Sequence, residues 1–268
     1  MSDVALAGVM HDALGSIKEF VPIYFPLLSK IYSGMYIVVT STTDPATVNE
    51  LEKTGVNVEV QDGGGVGLQY ISDARRQAIR ASLLNGHGHT HFIEIDRLMQ
   101  WVSKYPEELA SVVKQIPDHD FLVIGRTRRA FKTHTRCQIE TEGLTNKVVS
   151  LLTGREIDYT CASRGISKEA SEIILRHSKT DHAGTDGEWP MIIHCLTDLS
   201  IDYIAVEGME FEIQFRFPDR VEKAGDVETY KKIRDTSPKS WLHRIRTAEQ
   251  ISATAISTHD ELCNKNKD

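Results

Sequence analysis

Phe92-Ile93-Glu94-Ile95-Asp96-Arg97 is the stretch around which the rest of this sequence arranges itself. Its apolar residues read as the end of a buried strand. Glu94 and Asp96 stand one residue apart where that strand runs into a loop. Alternate residues of a strand point to the same side, so both carboxylates are expected to face one ligand. Two hard oxygen donors on one side suit a Mg²⁺ or Mn²⁺ ion carrying a diphosphate. Acid-x-acid triplets also occur as plain solvated strand ends, so the surrounding pattern has to decide.

Upstream, Val4-Ala5-Leu6-Ala7-Gly8-Val9 is a short apolar run with the length of a buried strand. Residues 14–32 carry apolar side chains near helical spacing, interrupted by Pro22 and Pro26. Residues 35–40 form a second strand, residues 46–53 a helix and residues 56–60 an alternating third strand. Asp62-Gly63-Gly64-Gly65-Val66-Gly67 then opens a helix expected over 68–84. Glycines before a helix N-terminus let the backbone approach a phosphate closely, which makes Gly67 a candidate contact; a flexible turn has the same composition. Arg75-Arg76 lies in that helix, with at least one guanidinium able to face inward. The tract His87-Gly88-His89-Thr90-His91 precedes the strand, at its far end, and reads as a histidine-rich loop rather than a metal site.

Strands alternating with helices through short links predict a parallel sheet covered by helices. Ligands of such sheets bind beyond the carboxyl ends of the strands, where Glu94 and Asp96 fall. Downstream, a helix to about Gln115 precedes the strand Phe121-Leu122-Val123-Ile124-Gly125. The basic run Arg126-Thr127-Arg128-Arg129-Ala130-Phe131-Lys132 follows at the same edge, placed either to hold an anion or to form a solvated loop. Residues 144–152 read as an amphipathic helix closed by Gly154, and Ser167 as the cap of a helix over 168–176. In Ala183-Gly184-Thr185-Asp186-Gly187-Glu188-Trp189-Pro190, either acid can be a general base or a helix cap. Trp189 is available to pack a sugar.

The chain of 268 residues is 40% hydrophobic and 26% charged, enough for a sizeable core. Its net charge of −7 argues against a nucleic-acid partner. No run of apolar residues has the length of a transmembrane span, and the start lacks the pattern of a signal peptide. Four widely separated cysteines, Cys137, Cys161, Cys195 and Cys263, read as reduced thiols of a cytoplasmic protein.

The order of these landmarks resembles the GT-A nucleotide-sugar glycosyltransferases of the family-2 type. The nearest look is to polyprenyl-phosphate mannose synthases and to mannosylglycerate or glucosyl-phosphoglycerate synthases. The resemblance spans residues 4–216. It runs through residues 41–47, 63–81, Glu94-Ile95-Asp96 and Tyr105-Pro106-Glu107. It continues with Gly125-Arg126-Thr127, residues 145–154 with Asp158, residues 164–170, the acids Asp186 and Glu188, and residues 191–199 and 202–206. It departs from the family at Glu94, where an aspartate is usual, and at Thr40-Ser41, where the family has acids. An apolar, lipid-directed extension is missing.

The resemblance implies an α/β GT-A, Rossmann-like, mostly parallel sheet over residues 1–220. Residues 221–268 follow as a C-terminal helical extension with a disordered tail at 264–268. It implies an enzyme that moves a sugar from a nucleoside-diphosphate sugar to a soluble, small or anionic acceptor with Mg²⁺ or Mn²⁺. Asp96, helped by Glu94, would hold the metal, and Gly67, Arg75 and Arg76 would contact the donor. Arg126, Arg128, Arg129 and Arg164 would hold an acidic acceptor, since guanidinium forks match carboxylates and phosphates. Asp186 or Glu188 would be the base. A non-catalytic sugar-nucleotide binder and a sugar-phosphate nucleotidyltransferase are the rival readings, and homo-oligomerisation stays open. The nucleotidyltransferase is disfavoured because Gly8-Val9-Met10-His11-Asp12 is not glycine-rich.

Overall fold

The computed structural model describes residues 3–63, 67 and 70–263. These form a seven-stranded sheet of β1 (Val4–Met10), β2 (Gly34–Val39), β3 (Asn57–Val60), β4 (His89–Glu94), β5 (Phe121–Arg126), β6 (Ser163–Ser167) and β7 (Ile201–Val206). The spatial order is β3-β2-β1-β4-β6-β5-β7. All neighbours are parallel except β6, which runs antiparallel to both β4 and β5. The sheet is therefore mostly parallel, as expected, and β1, β2, β4, β5 and β7 end at one edge. The antiparallel β6 is the strand the sequence pattern did not announce. Its Ser-Arg-Gly-Ile-Ser composition lacks an apolar run, yet every residue is buried.

The helices are α1 (Val21–Leu28), α2 (Pro45–Lys53), α3 (Ile71–Leu84), α4 (Ile95–Lys104), α5 (Pro106–Gln115), α6 (Arg128–Lys132) and α7 (Arg136–Thr153). Then come α8 (Lys168–His177), α9 (Thr185–Leu196), α10 (Ile213–Arg216), α11 (Pro218–Ala224), α12 (Val227–Thr236) and α13 (Pro238–Cys263). The irregular stretch over 14–32 reduces to the short α1, with Pro22 in its first turn, where no amide is needed. Ahead of it, the Asp12 carboxylate accepts bonds from the Ser16 and Ile17 amides at 2.8 and 3.0 Å and from the Thr47 hydroxyl at 2.7 Å. That one side chain ties the loop after β1 to α2. Ser167 caps α8 as expected, accepting from the Ala170 amide at 3.2 Å.

β1 is buried along its whole length, the signature of a strand covered by helices on both faces. Close approach at Gly8 shapes the functional edge. A Cβ there would lie 2.4 Å from the Ile95 Cδ1 atom, so glycine lets α4 start directly over the end of β1. Strand β4 accordingly stops at Glu94, and Ile95 and Asp96 belong to the first turn of α4. This corrects the expectation that the two carboxylates share a side by strand alternation.

Trp189 is also placed differently. It is buried, packs edge-on against Phe92 at 5.4 Å and donates to the Ser178 hydroxyl, so it is part of the core and not a sugar platform. The long α13 packs against α7 and α9. Its buried face is Ser240, Thr247, Ile251 and Ala255, whereas Leu242 and Ile245 are exposed. Cys263 at its end is disulfide-bonded to Cys195 at the end of α9. Cys137 and Cys161 are free and buried. The reading of four reduced thiols is thus corrected, and with it goes the cysteine argument for a cytoplasmic location. Among the described residues no helix is long and apolar enough to cross a membrane. The expected tail at 264–268 lies outside the described residues.

Candidate active site

A cleft of about 610 Å³ opens at the carboxyl edge of the parallel strands. At the sheet edge it is lined by Met10 at the end of β1, His11 after it, Thr40 after β2, Gln61 after β3, and Gly67, Glu94 and Asp96. The rest of the lining includes Thr135 and Gln138 entering α7, Glu212, Arg216 and Arg220, and Arg234, His243 and Arg244 of α12 and α13, with Arg216 Nε reaching Asp96 at 3.5 Å. The cleft thus joins an acidic patch at the sheet edge to a basic wall contributed by residues 216–244.

Glu94 and Asp96 both line the cleft, but their electrostatics differ. Glu94 accepts from Arg75 Nη2 at 2.6 Å and lies 3.5 Å from Arg97 Nε. Burial alone would raise its pKa; the charges of Arg75, Arg97 and Arg216 overcome this and pull it to about 2. Asp96 has weaker support, with Arg216 Nε at 3.5 Å. Burial, with Glu212 and Glu94 nearby, lifts it to about 7 despite Arg216. A buried acid among other acids is where a divalent cation restores charge balance. Among the described residues no three His, Cys, Asp or Glu side chains converge as a metal cage. A Mg²⁺ or Mn²⁺ ion here fits as one held by Asp96 and by oxygens of a bound diphosphate, the manner in which Mg²⁺ is commonly bound.

Neither Arg75 nor Arg76 lines the cleft; Arg75 reaches it only through Glu94. Arg75 is buried and bridges Glu94, the Thr185 hydroxyl at 2.6 Å and Asp186 at 3.4 Å. Arg76 points away, donating to the Ser178 hydroxyl and the Thr180 carbonyl, with Asp73 as its acidic partner. Gly67 lines the cleft in a positive-φ conformation (φ 113°). Residues 64–66, 68 and 69 of the glycine-rich turn and predicted helix start lie outside the described residues.

The basic run does not form an acceptor wall. Arg126 is buried and bound to Asp158 through Nε at 2.8 Å and Nη2 at 2.9 Å, with Glu142 at 2.8 Å from Nη2. Arg129 pairs with Glu207 and Glu210 and lies over the Tyr105 ring. Arg164 is buried in β6, donating to the Ser163 and Tyr159 carbonyls and the Cys161 sulfur, with Asp186 at 3.6 Å. Arg128 is exposed, on a different cavity. Burial of a charge demands a partner, and Arg126 and Arg164 found theirs within the chain.

The expected bases are likewise engaged. Asp186 lies in the first turn of α9 between Arg75 and Arg164, not at a loop tip, and is not part of the cleft lining. Glu188 accepts from the Ser178 hydroxyl and the Lys179 and Thr180 amides at 2.5, 2.6 and 2.9 Å, which makes it an anchor for the α8–α9 connection.

Arg216 and Arg220 close the stretch that reads as the GT-A domain and receive no role there; Arg234, His243 and Arg244 were missed because residues 221–268 read only as a helical extension. Arg220 stacks on Phe217 at 4.0 Å, and neither Arg220 nor Arg234 has an acidic partner within 4 Å among the described residues. Burial lowers the pKa of His243, and Arg244, Arg234 and Arg216 lower it further, so its imidazole is neutral at physiological pH. The Arg-Phe-Pro-Asp-Arg run at 216–220 was the available signal: two cations flank an aromatic and a helix-starting proline.

No protein-family model matches the sequence, and no curated protein matches it. Solved structures do match. Glucosyl-3-phosphoglycerate synthase from Mycobacterium tuberculosis, in complex with uridine diphosphate, superposes with a TM-score of 0.53 at 11% identity, covering 97% of this chain and 80% of that one. The same synthase with Mn²⁺, uridine diphosphate and phosphoglyceric acid gives 0.53 at 11% identity over 97% and 78%. Mannosyl-3-phosphoglycerate synthase from Rubrobacter xylanophilus gives 0.51 at 12% identity over 90% and 75%. The chain has the GT-A fold expected from its sequence.

Proposed function

We propose that this protein is a glycosyltransferase that moves a sugar from a nucleoside-diphosphate sugar to a small anionic acceptor with the help of Mg²⁺ or Mn²⁺. The observation that carries the reading is the single cleft lined by Glu94 and Asp96 at the strand ends together with Arg216, which reaches Asp96 at 3.5 Å, and with Arg220, Arg234 and Arg244. The uridine diphosphate, Mn²⁺ and phosphoglyceric acid in complexes of the similar structures support a nucleotide donor, a divalent ion and a small anionic acceptor.

The donor's diphosphate lies, in this reading, at the strand ends beside Gly67 and Asp96. A divalent ion on Asp96 would supply Lewis-acid stabilisation of the leaving diphosphate. Arg216 stands between Asp96 and Glu212, at 3.5 and 3.7 Å, and adds fixed positive charge where negative charge develops. Arg220 and Arg234 orient the acceptor through its carboxylate or phosphate. Asp186 is a positioning residue in this scheme, holding Arg75 and through it Glu94. The neutral His243 imidazole, beside Arg234 and Arg244 in the cleft lining, takes the acceptor's hydroxyl proton in this scheme.

The test is release of nucleoside diphosphate from UDP-, GDP- and ADP-sugars with Mn²⁺, with and without 3-phosphoglycerate. Release that rises with acceptor supports transfer. The Arg75–Glu94 pairing favours one rival, a non-catalytic sugar-nucleotide binder, because it occupies an acid otherwise open to metal. Saturable donor binding with no release above the metal-only blank would select that rival.

A further inference from the structure

The segment closed by the Cys195–Cys263 disulfide contains all five basic residues of the cleft wall: Arg216, Arg220, Arg234, His243 and Arg244. The bond joins the last turn of α9 to the last turn of α13. His243 and Arg244 stand near the other end of α13. One continuous helix of 26 residues therefore carries part of the cleft at its start and the disulfide at its end.

We propose that this disulfide is a reducible lock on α13. While it is closed the helix stays docked and the cleft is complete; reduction by a thiol lets α13 leave the body and take His243 and Arg244 with it.

Apart from the bond, the helix is lightly held. Its buried face is Ser240, Thr247, Ile251 and Ala255, and none of the described residues after Ala255 is buried. Helices α9 and α13 meet through small groups. A Cβ on Gly187 would lie 2.6 Å from the Ile251 carbonyl oxygen, and one on Gly184 2.5 Å from the Thr254 hydroxyl. Such an approach of backbones buries little apolar side chain, the main source of docking energy. Near its end α13 adds the half-buried Leu262 and the Lys179–Glu261 pair at 3.0 Å. That pair is solvated and contributes little. At its start Arg244 pairs with Glu142, which keeps Arg126 as a partner when Arg244 departs. Undocking thus strands no carboxylate. The disulfide opposes it by closing a separation of 68 residues, which removes conformational freedom from every detached state. A helix with two such states, biased by one bond, is a switchable element.

The bond is also reachable. Cys195 and Cys263 are partly exposed, whereas the free Cys137 and Cys161 are buried, so a small thiol meets the disulfide first. The thiolate of the reductant attacks one sulfur, and the other leaves as a thiolate and takes up a proton. A second thiol of the reductant then resolves the mixed disulfide. The protein gains two electrons and two protons as two thiols, and the reductant departs as a disulfide.

The test compares the 268-residue chain, oxidised and after dithiothreitol, with the double variant Cys195→Ser and Cys263→Ser. Alkylation of the native protein followed by mass measurement counts the thiols; neither Cys195 nor Cys263 should react before reduction, and both should react after it. Trypsin reports docking. Reduction is expected to speed cleavage after Arg244 and Arg246 about tenfold or more, because proteolysis follows the population of the open form. The serine variant is cleaved at the fast rate with or without dithiothreitol. The catalytic arm rests on the glycosyltransferase reading: acceptor KM rises about twofold or more as the docked fraction falls, while Mn²⁺-dependent donor binding holds. In a protein that transfers no sugar, the protease arm alone decides. The proposal is overturned if both cysteines alkylate before reduction, if reduction leaves cleavage within α13 unchanged, or if dithiothreitol acts equally on the serine variant. It is overturned as well if, in an active enzyme, cleavage speeds while acceptor KM holds.

Discussion

Arg75 lies with Nη2 2.6 Å from Glu94 and Nη1 3.4 Å from Asp186, so one buried guanidinium holds both acids. The first acid of the acid-x-acid triplet is thus neutralised within the protein, and the second is the one left to a cation. Removing one partner of a buried ion pair typically costs about 3–5 kcal/mol, because the other charge stays buried. Arg75→Met is expected to destabilise the fold by about that amount in urea unfolding. Adding Glu94→Gln should recover part of the loss. A single variant within about 1 kcal/mol of wild type would show that the bridge is not an important support.

Asp96→Asn separates metal from fold. Loss of a direct ligand is expected to weaken Mn²⁺-dependent binding of the nucleotide-sugar by more than the roughly 10- to 100-fold typical of outer partners. Binding in EDTA and the melting temperature should change little. Calorimetry with and without Mn²⁺ reads both. Unchanged metal dependence in Asp96→Asn would place the ion elsewhere.

The two arginine clusters make opposite predictions. Arg234→Ala and Arg220→Ala remove cations that lack acidic partners within the chain, and should raise the acceptor KM about tenfold or more, a loss near 1.4 kcal/mol. Arg129→Ala removes a cation already paired with Glu207 and Glu210, and should leave acceptor KM within about twofold, near the 0–1 kcal/mol of exposed pairs. Steady-state kinetics with 3-phosphoglycerate distinguishes them. The reverse order would return the acceptor site to the run at 126–132.

Glu188→Gln should act on stability and not on chemistry. Its carboxylate accepts from two backbone amides and a hydroxyl, and an unsatisfied buried partner costs about 1–3 kcal/mol. The melting temperature is expected to fall while kcat of the folded enzyme holds. A fall in kcat of about 10²–10⁴ without loss of stability would mark Glu188 as a base after all.

His91 gives the fold a pH dependence. It is fully buried between the Tyr32 hydroxyl at 2.6 Å and the Ser163 hydroxyl at 3.0 Å, and burial lowers its pKa to about 3. The unfolded chain binds its proton near pH 6.5 and the folded chain does not, so its contribution to stability falls as the pH drops from about 6.5 toward 3. At pH 5 this amounts to about 2 kcal/mol relative to pH 8. His91→Gln should flatten that part of the stability profile. An unchanged slope between pH 8 and pH 5 would mean that other groups set it.

The sequence by itself determined the strand ends and their order. Apolar runs at 4–9, 35–40 and 121–125 lie in strands buried by neighbours on both faces, a condition that imprints itself on local composition. The position of Glu94 and Asp96 at the binding edge followed from the same pattern, since the edge is set by where parallel strands stop. Partner choice was decided only in the tertiary structure. Arg126, Arg129 and Arg164 look no different in sequence from Arg220 and Arg234, yet the first three are claimed by acids or carbonyls of the chain. Strand β6 was hidden because its burial comes from neighbours β4 and β5 and not from its own apolar residues. The basic wall of the cleft was hidden for a related reason: α10 to α13 bring residues 216–244 back to a site whose other half lies before residue 100. Charge, burial and pairing are properties of such long-range neighbours, and a linear pattern records them only where burial is continuous along the chain.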